Sequence, residues 1–131
     1  MLPVACLVLM DADGCLLATR RPPGKALGGL WEFPGGKVEA GEHAADALRR
    51  EIREELHLEL DDLQPLPPVE HTYPFGAILL LPFLARCGKR PPIHLSEHDA
   101  HIWIAPAAAP TLPWAPADLP VLEQLRAVPS M

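Results

Sequence analysis

The sequence has few cysteines, no long apolar run and a shortage of basic residues, and each deficit narrows what the chain can be. Cys6, Cys15 and Cys87 are an odd set without C-x-x-C spacing. Neither a disulfide framework nor a cysteine zinc site is therefore expected, and a reducing compartment fits best. The apolar stretch from Val4 to Met10 falls well short of the ~20 residues that a membrane span needs. No basic residue precedes it, so it is wrongly flanked for a signal peptide. A soluble, cytoplasmic protein with no membrane partner is expected. Basic residues number 11 against 17 acidic, a net charge of −6. Binding to a nucleic acid polymer relies on neutralising phosphates, so it is not expected of this surface; a polyanionic partner would need positive charge from elsewhere. No obligatory protein partner is evident.

What is present fits one globular domain over residues 1–131. Hydrophobic residues make up 49% and charged residues 21%, which argues against disorder. The 17 prolines are unevenly placed: none lies between Gly35 and Gln64, leaving that stretch free to form a long helix. Val4–Met10 and Cys15–Thr19 are apolar runs separated by Asp11-Ala12-Asp13-Gly14, which predicts a β-hairpin. Residues 22–30 read as a loop, and Trp31-Glu32-Phe33 as a short strand. A helix is expected from about His43 to Leu56. Ala77–Ala85 reads as a buried strand in which Pro82 suggests an edge or a bulge. Ala100–Ile104 reads as another strand, and Asp118–Ala127 as a helix capped by Asp118. A mixed sheet between helices follows.

The helix carries the chemistry. At about 100° per residue, Glu51, Glu54 and Glu55 share an arc of roughly 100°. Ala45, Leu48, Ile52 and Leu56 occupy the adjacent face and are expected to pack into the core. Like charges at these spacings repel, so the face is either a solvated one, with Arg50 and Arg53 as ion-pair partners, or a cage for a divalent cation such as Mg²⁺ or Mn²⁺. Helix geometry alone does not choose.

The spacing does. Gly36, five residues, Glu42, seven residues, Arg50-Glu51-Ile52, one residue, Glu54-Glu55, and the later apolar Leu58 resemble the Nudix box of Nudix hydrolases. His57 stands where that box usually has glycine. It follows the helix, where a left-handed residue is usual, and histidine tolerates that conformation better than most. The resemblance implies an α/β/α sandwich around a mixed sheet, with Mg²⁺ (Mn²⁺ substituting) held by Glu51, Glu54, Glu55 and the Gly35 carbonyl. It also implies that Arg50 orients Glu51 and that Glu42 holds the loop-to-helix geometry. Arg21 and Lys37 are candidate phosphate contacts or else solvated charges.

Thr19-Arg20-Arg21, the Gly29–Lys37 segment and Trp114–Val121 resemble the MutT-like branch, the oxidised-nucleotide diphosphatases, and also the CTP pyrophosphohydrolases. This implies release of a nucleoside monophosphate and pyrophosphate from a nucleoside triphosphate, with 8-oxo-dGTP favoured and CTP or a modified cytosine nucleotide as the alternative. Asp118 would face the base edge. A fixed acceptor there bonds the N7 hydrogen of 8-oxoguanine and meets a lone pair in guanine, yet it accepts equally from the N4 amino group of cytosine. Phe33 and Trp31 are candidate walls of the base pocket or plain core. Glu97, six residues before Trp103, corresponds to a loop glutamate that approaches the metal, and either it or Glu51 takes the proton from water. Pro74-Phe75-Gly76-Ala77 departs from relatives that place a polar group there. A non-catalytic recognition module of this family is a further alternative, opposed by the intact carboxylates. Trp103 is expected in the core. No two of the six histidines show H-x-x-x-H spacing on a helix, so no histidine metal site is expected.

Overall fold

The structure is a computed structural model and describes residues 1–127. Its central pair is β1 (Leu2–Asp11) and β7 (Gly76–Gly88), which run parallel from Leu2 opposite Ile78 to Asp11 opposite Gly88. Side chains alternate across a strand, and an unbroken apolar run is what a strand covered on both faces requires. Ala5, Leu7 and Leu9 meet Leu48, Ile52 and Leu56 of helix α1 (Ala44–Leu56) on one face. Cys6 and Val8 face the other core, with Val121 and Leu122 of helix α2 (Leu119–Ala127). The expected sandwich around a mixed, eight-stranded sheet is what forms. Burying each large apolar side chain of α1 is worth about 2 kcal/mol. The repulsion within its glutamate face costs only about 0.2–0.5 kcal/mol per pair, so packing prevails.

The expected hairpin forms and then opens. The Asp11 carboxylate accepts from the N–H groups of Asp13 and Cys15 at 2.9 and 2.8 Å, closing the turn. β2 (Leu16–Arg20) pairs with β1 only at Met10–Leu16. Beyond that point β2 leaves to pair with β8 (Ala100–Ile104) and with β3 (Trp31–Glu32). β4 (Gly35–Lys37) pairs with β1 instead. The stretch 31–37 thus crosses between two diverging strands, with Phe33 and Pro34 at the crossing.

Three expectations need correction. Pro82 is neither on an edge nor bulged: β7 is interior, and Pro82 sits opposite Cys6 of β1 and is fully buried. Its missing N–H falls where the outer neighbour changes, from β6 (Val69–Tyr73) to β5 (Gln64–Pro65), neither of which the sequence pattern suggested. Only its carbonyl is engaged there, by the Leu66 N–H at 2.9 Å. Asp118 closes a 3-10 turn, Pro116–Asp118, ahead of α2, and its carboxylate bonds elsewhere rather than capping that helix. Ala45 is only partly buried, Ala47 taking the core position. By contrast His57 is left-handed as expected, with φ 55° and its N–H on the Arg53 carbonyl. No helix among the described residues is long and apolar enough to cross a membrane.

Candidate active site

Two adjacent glycines bring the crossing strand against the helix. At Gly35 a Cβ would meet the Ala5 carbonyl oxygen at 1.9 Å. At Gly36 it would meet the Glu51 carboxyl carbon at 2.3 Å. Only hydrogen fits at Gly35, and at Gly36 a Cβ would displace the Glu51 carboxylate, so the backbone of β4 lies directly on it.

Arg50 fixes that carboxylate. Its Nε and Nη2 donate to both oxygens of Glu42 at 3.0 and 2.9 Å, Nη2 also reaches the Lys37 carbonyl at 3.2 Å, and Nη1 donates to Glu51 at 2.9 Å. Glu42 in turn accepts the Glu39 N–H. A guanidinium is a rigid planar fork, which suits one residue to tying a loop to a helix. The Arg50 fork, followed by the Glu39 N–H, holds the Glu42 carboxyl down at about 2.

Glu55 lies beside Glu51. Burial, then the Glu51 carboxyl, then the charges of Glu51, Glu32 and Glu97 push its carboxyl up to about 9. Its Oε2 is buried without a hydrogen-bond partner. Crowded, part-desolvated carboxylates with an orphaned oxygen fit a divalent cation with oxygen ligands. Glu54 stands apart from the other two: its side chain is 61% exposed, 3.7 Å from Arg50. Among the described residues no three acidic, histidine or cysteine side chains already stand in ligating geometry. Glu97 is close enough to act on Glu55 electrostatically, and the neighbouring Ser96 hydroxyl donates to the Glu55 carbonyl at 3.0 Å.

A cleft of about 250 Å³ runs from Gly35, Gly36 and Lys37 to an apolar end walled by Phe33, Tyr73 and Leu80, with Asp118 among its lining. Asp118 is buried, and its Oδ1 accepts the Phe33 N–H at 3.1 Å, a donor freed because the chain changes partner strands there. Burial, followed by the charge of Glu32, pushes its carboxyl well above the usual range. The Tyr73 hydroxyl accepts the Ala117 N–H at 2.9 Å and so steadies the turn that carries Asp118. Phe33 packs on Trp114 with ring centres 4.9 Å apart. Trp31 does not line the cleft; it packs against the core and under the Arg20 guanidinium. Phe75 stands at the rim, 63% exposed and stacked on Tyr73.

Sequence reasoning missed Glu32 and His98. Glu32 accepts from Arg21 Nε at 2.8 Å and lies 2.9 Å from His98 Nε2. Burial raises its carboxyl, but His98 and Arg21 outweigh burial and leave it below the ordinary value. The available signal was a charged residue between two aromatics in a short strand. Arg21 and Lys37 both line the cleft, Arg21 held by Glu32 and Lys37 directed outward.

The NUDIX domain family matches residues 1–125. The chain is 36% identical over 120 residues to the CTP pyrophosphohydrolase of Escherichia coli (strain K12), covering 92% of this chain and 88% of that protein. To the 8-oxo-dGTP diphosphatase of Proteus vulgaris it is 37% identical over 83 residues, 63% of this chain and 74% of that one. The solution structure of the E. coli ORF135 protein is similar with a TM-score of 0.81 and 35% identity, over 97% of this chain and 91% of that chain.

Proposed function

This chain belongs to the NUDIX family of hydrolases, and from that membership we propose that it is a divalent-metal-dependent nucleoside triphosphate pyrophosphohydrolase releasing the nucleoside monophosphate and pyrophosphate. The observation that carries this is the Glu51–Glu55 pair, with its orphaned oxygen, directly behind Gly36, which lines the same cleft as Asp118. Glu51, Glu54, Glu55, Glu97 and the Gly35 carbonyl would hold Mg²⁺, with Mn²⁺ able to replace it. When bound, the cation supplies cancellation of phosphate charge and a more acidic attacking water. Arg50 keeps Glu51 aimed, and Glu42 keeps Arg50 in place. Glu51 and Glu97 are the two carboxylates that could take the proton from water. Arg21 and Lys37 supply positive charge along the path of the phosphates, which an acidic protein needs locally.

The favoured substrate is an oxidised purine deoxynucleotide such as 8-oxo-dGTP, because the Asp118 carboxyl offers an acceptor oxygen to the N7–H that guanine lacks. The similarity to a CTP pyrophosphohydrolase over most of the chain supports a second candidate, with the cytosine N4 amino group as donor. Pyrophosphate release from a nucleotide panel with Mg²⁺ or Mn²⁺ tests the class of reaction, and silence toward every nucleotide overturns it. Competition of 8-oxo-dGTP against dCTP and CTP in one assay decides the base.

A further inference from the structure

Segment 96–99 is stitched to its surroundings by every side chain it carries. Ser96 donates to the Glu55 carbonyl on α1. Glu97 pairs with Lys25 at 3.5 Å, His98 with Glu32 at 2.9 Å, and Asp99 with Arg20 at 2.8 Å. The last three partners all belong to the β2–β3 region. The contacts are unequal. Lys25 and Glu97 are both more than half exposed at a long distance, and such a pair contributes little. The Arg20–Asp99 pair is also solvent-facing. The His98 side chain is only 4% exposed, so its bond to Glu32 is made out of water, where a satisfied polar contact holds geometry best.

The protonation of this contact follows from its chemistry. A carboxylate offers lone pairs only, so Nε2 must carry the hydrogen and donate it. Nδ1 is then left buried without a partner. A buried polar atom without a protein partner is uncommon. Glu32 uses its other oxygen on Arg21, at the wall of the cleft.

We propose that His98 is a positioning residue for hydrolysis: its bond to Glu32 holds segment 96–99, with Ser96 on the Glu55 carbonyl, so that Glu97 stays within electrostatic reach of Glu55, while Arg21 keeps its own hold on Glu32. This rests on the nucleotide-hydrolase assignment above, in which Glu97 works with the helix carboxylates. The division of labour makes the effect specific. Loss of His98 frees Glu97 and leaves Arg21 tied, so turnover falls and substrate binding does not.

The test compares wild type, His98→Leu and His98→Gln in pyrophosphate release with saturating Mg²⁺, alongside thermal melting. His98→Leu is expected to lower kcat by on the order of tenfold to a hundredfold, the scale of a small misplacement of a reacting group. Its KM is expected to stay within about twofold, since binding contacts are untouched. His98→Gln, which keeps a donor toward Glu32, is expected to recover most of the loss. A purely structural role would lower the melting temperature without this kcat–KM split or this rescue. NMR of the metal-free wild type supplies a readout independent of turnover: a slowly exchanging His98 Nε2–H that shifts in Glu32→Gln. An unchanged kcat in folded His98→Leu, or failure of glutamine to rescue, overturns the inference and leaves the hydrolase assignment standing. Inactivity of wild type toward all nucleotides overturns both. If His98→Leu does not fold, the proton signal decides, and its absence overturns the inference.

Discussion

The backbone of Gly36 lies so close to Glu51 that a single added methyl group would overlap its carboxyl carbon, at 2.3 Å. The obstacle is the end of a side chain, which can move. Gly36→Ala should therefore fold, with a modest drop in melting temperature, and lose on the order of a hundredfold in kcat as Glu51 is displaced. Gly35→Ala meets the Ala5 backbone instead, at 1.9 Å, where nothing can give without breaking the β1–β4 pairing. It should destabilise by about 3 kcal/mol or more. Melting and kinetics on the two variants check this contrast; similar behaviour of the pair would refute it.

The Glu55 carboxyl, raised to about 9, gives a pH signature with a definite sign. A raised carboxyl favours the folded state while protonated, so its contribution is complete below the ordinary value near 4.5 and fades as pH rises toward 9. The metal-free protein should lose melting temperature across that interval, and Glu55→Gln should flatten the loss. Mg²⁺ favours the ionised form, so its stabilisation should grow with pH. Thermal melts from pH 5 to 9, with and without Mg²⁺, measure all three.

Glu42 behaves oppositely. Held at about 2 by Arg50, it stabilises the fold above its ordinary value and ceases to as pH falls toward 2. Glu42→Gln should make acid unfolding less steep. Arg50→Lys keeps the charge but loses the fork that spans Glu42 and Glu51. A loss of kcat on the order of a hundredfold with near-normal melting is expected, because a small misplacement of a reacting group costs a factor of this size.

Asp118→Asn separates binding from stability. Asparagine retains an oxygen for the Phe33 N–H, and an acid that burial and Glu32 push well above its usual range is replaced by a group that does not ionise. A raised carboxyl opposes folding more as pH rises, so the variant should melt at the same or a higher temperature than wild type at pH 8. Its KM for the preferred nucleotide should rise by on the order of tenfold or more, since a hydrogen-bonding site that loses its match discriminates strongly. A lower melting temperature with an unchanged KM would contradict the assignment.

Local pattern made much of the fold readable. The two-sided apolar run of β1, the Asp11–Gly14 turn and the proline-free helix each express a short-range rule, and each formed close to its expected limits. Where those rules misled, a distant strand intervened. Pro82 is tolerated inside β7 because β5 and β6 change places beside it. Asp118 leaves its cap position because Phe33 offers an unpaired N–H. β6 went unnoticed because its sequence, Val69 to Tyr73, alternates burial only once β7 lies beside it.

The sequence by itself determined which helix carries the acidic groups, their order along it, and the glycines that make room for them, since spacing along one helix and the absence of a Cβ are properties of the chain alone. Only the tertiary structure decided that Glu32 and His98 meet, that Phe33 lines the cleft while Trp31 does not, and that Glu55 is the member of its trio with a buried, unpartnered oxygen. Burial and pairing depend on which distant segments share a volume, and residues 66 positions apart, as Glu32 and His98 are, leave no periodic trace of their contact.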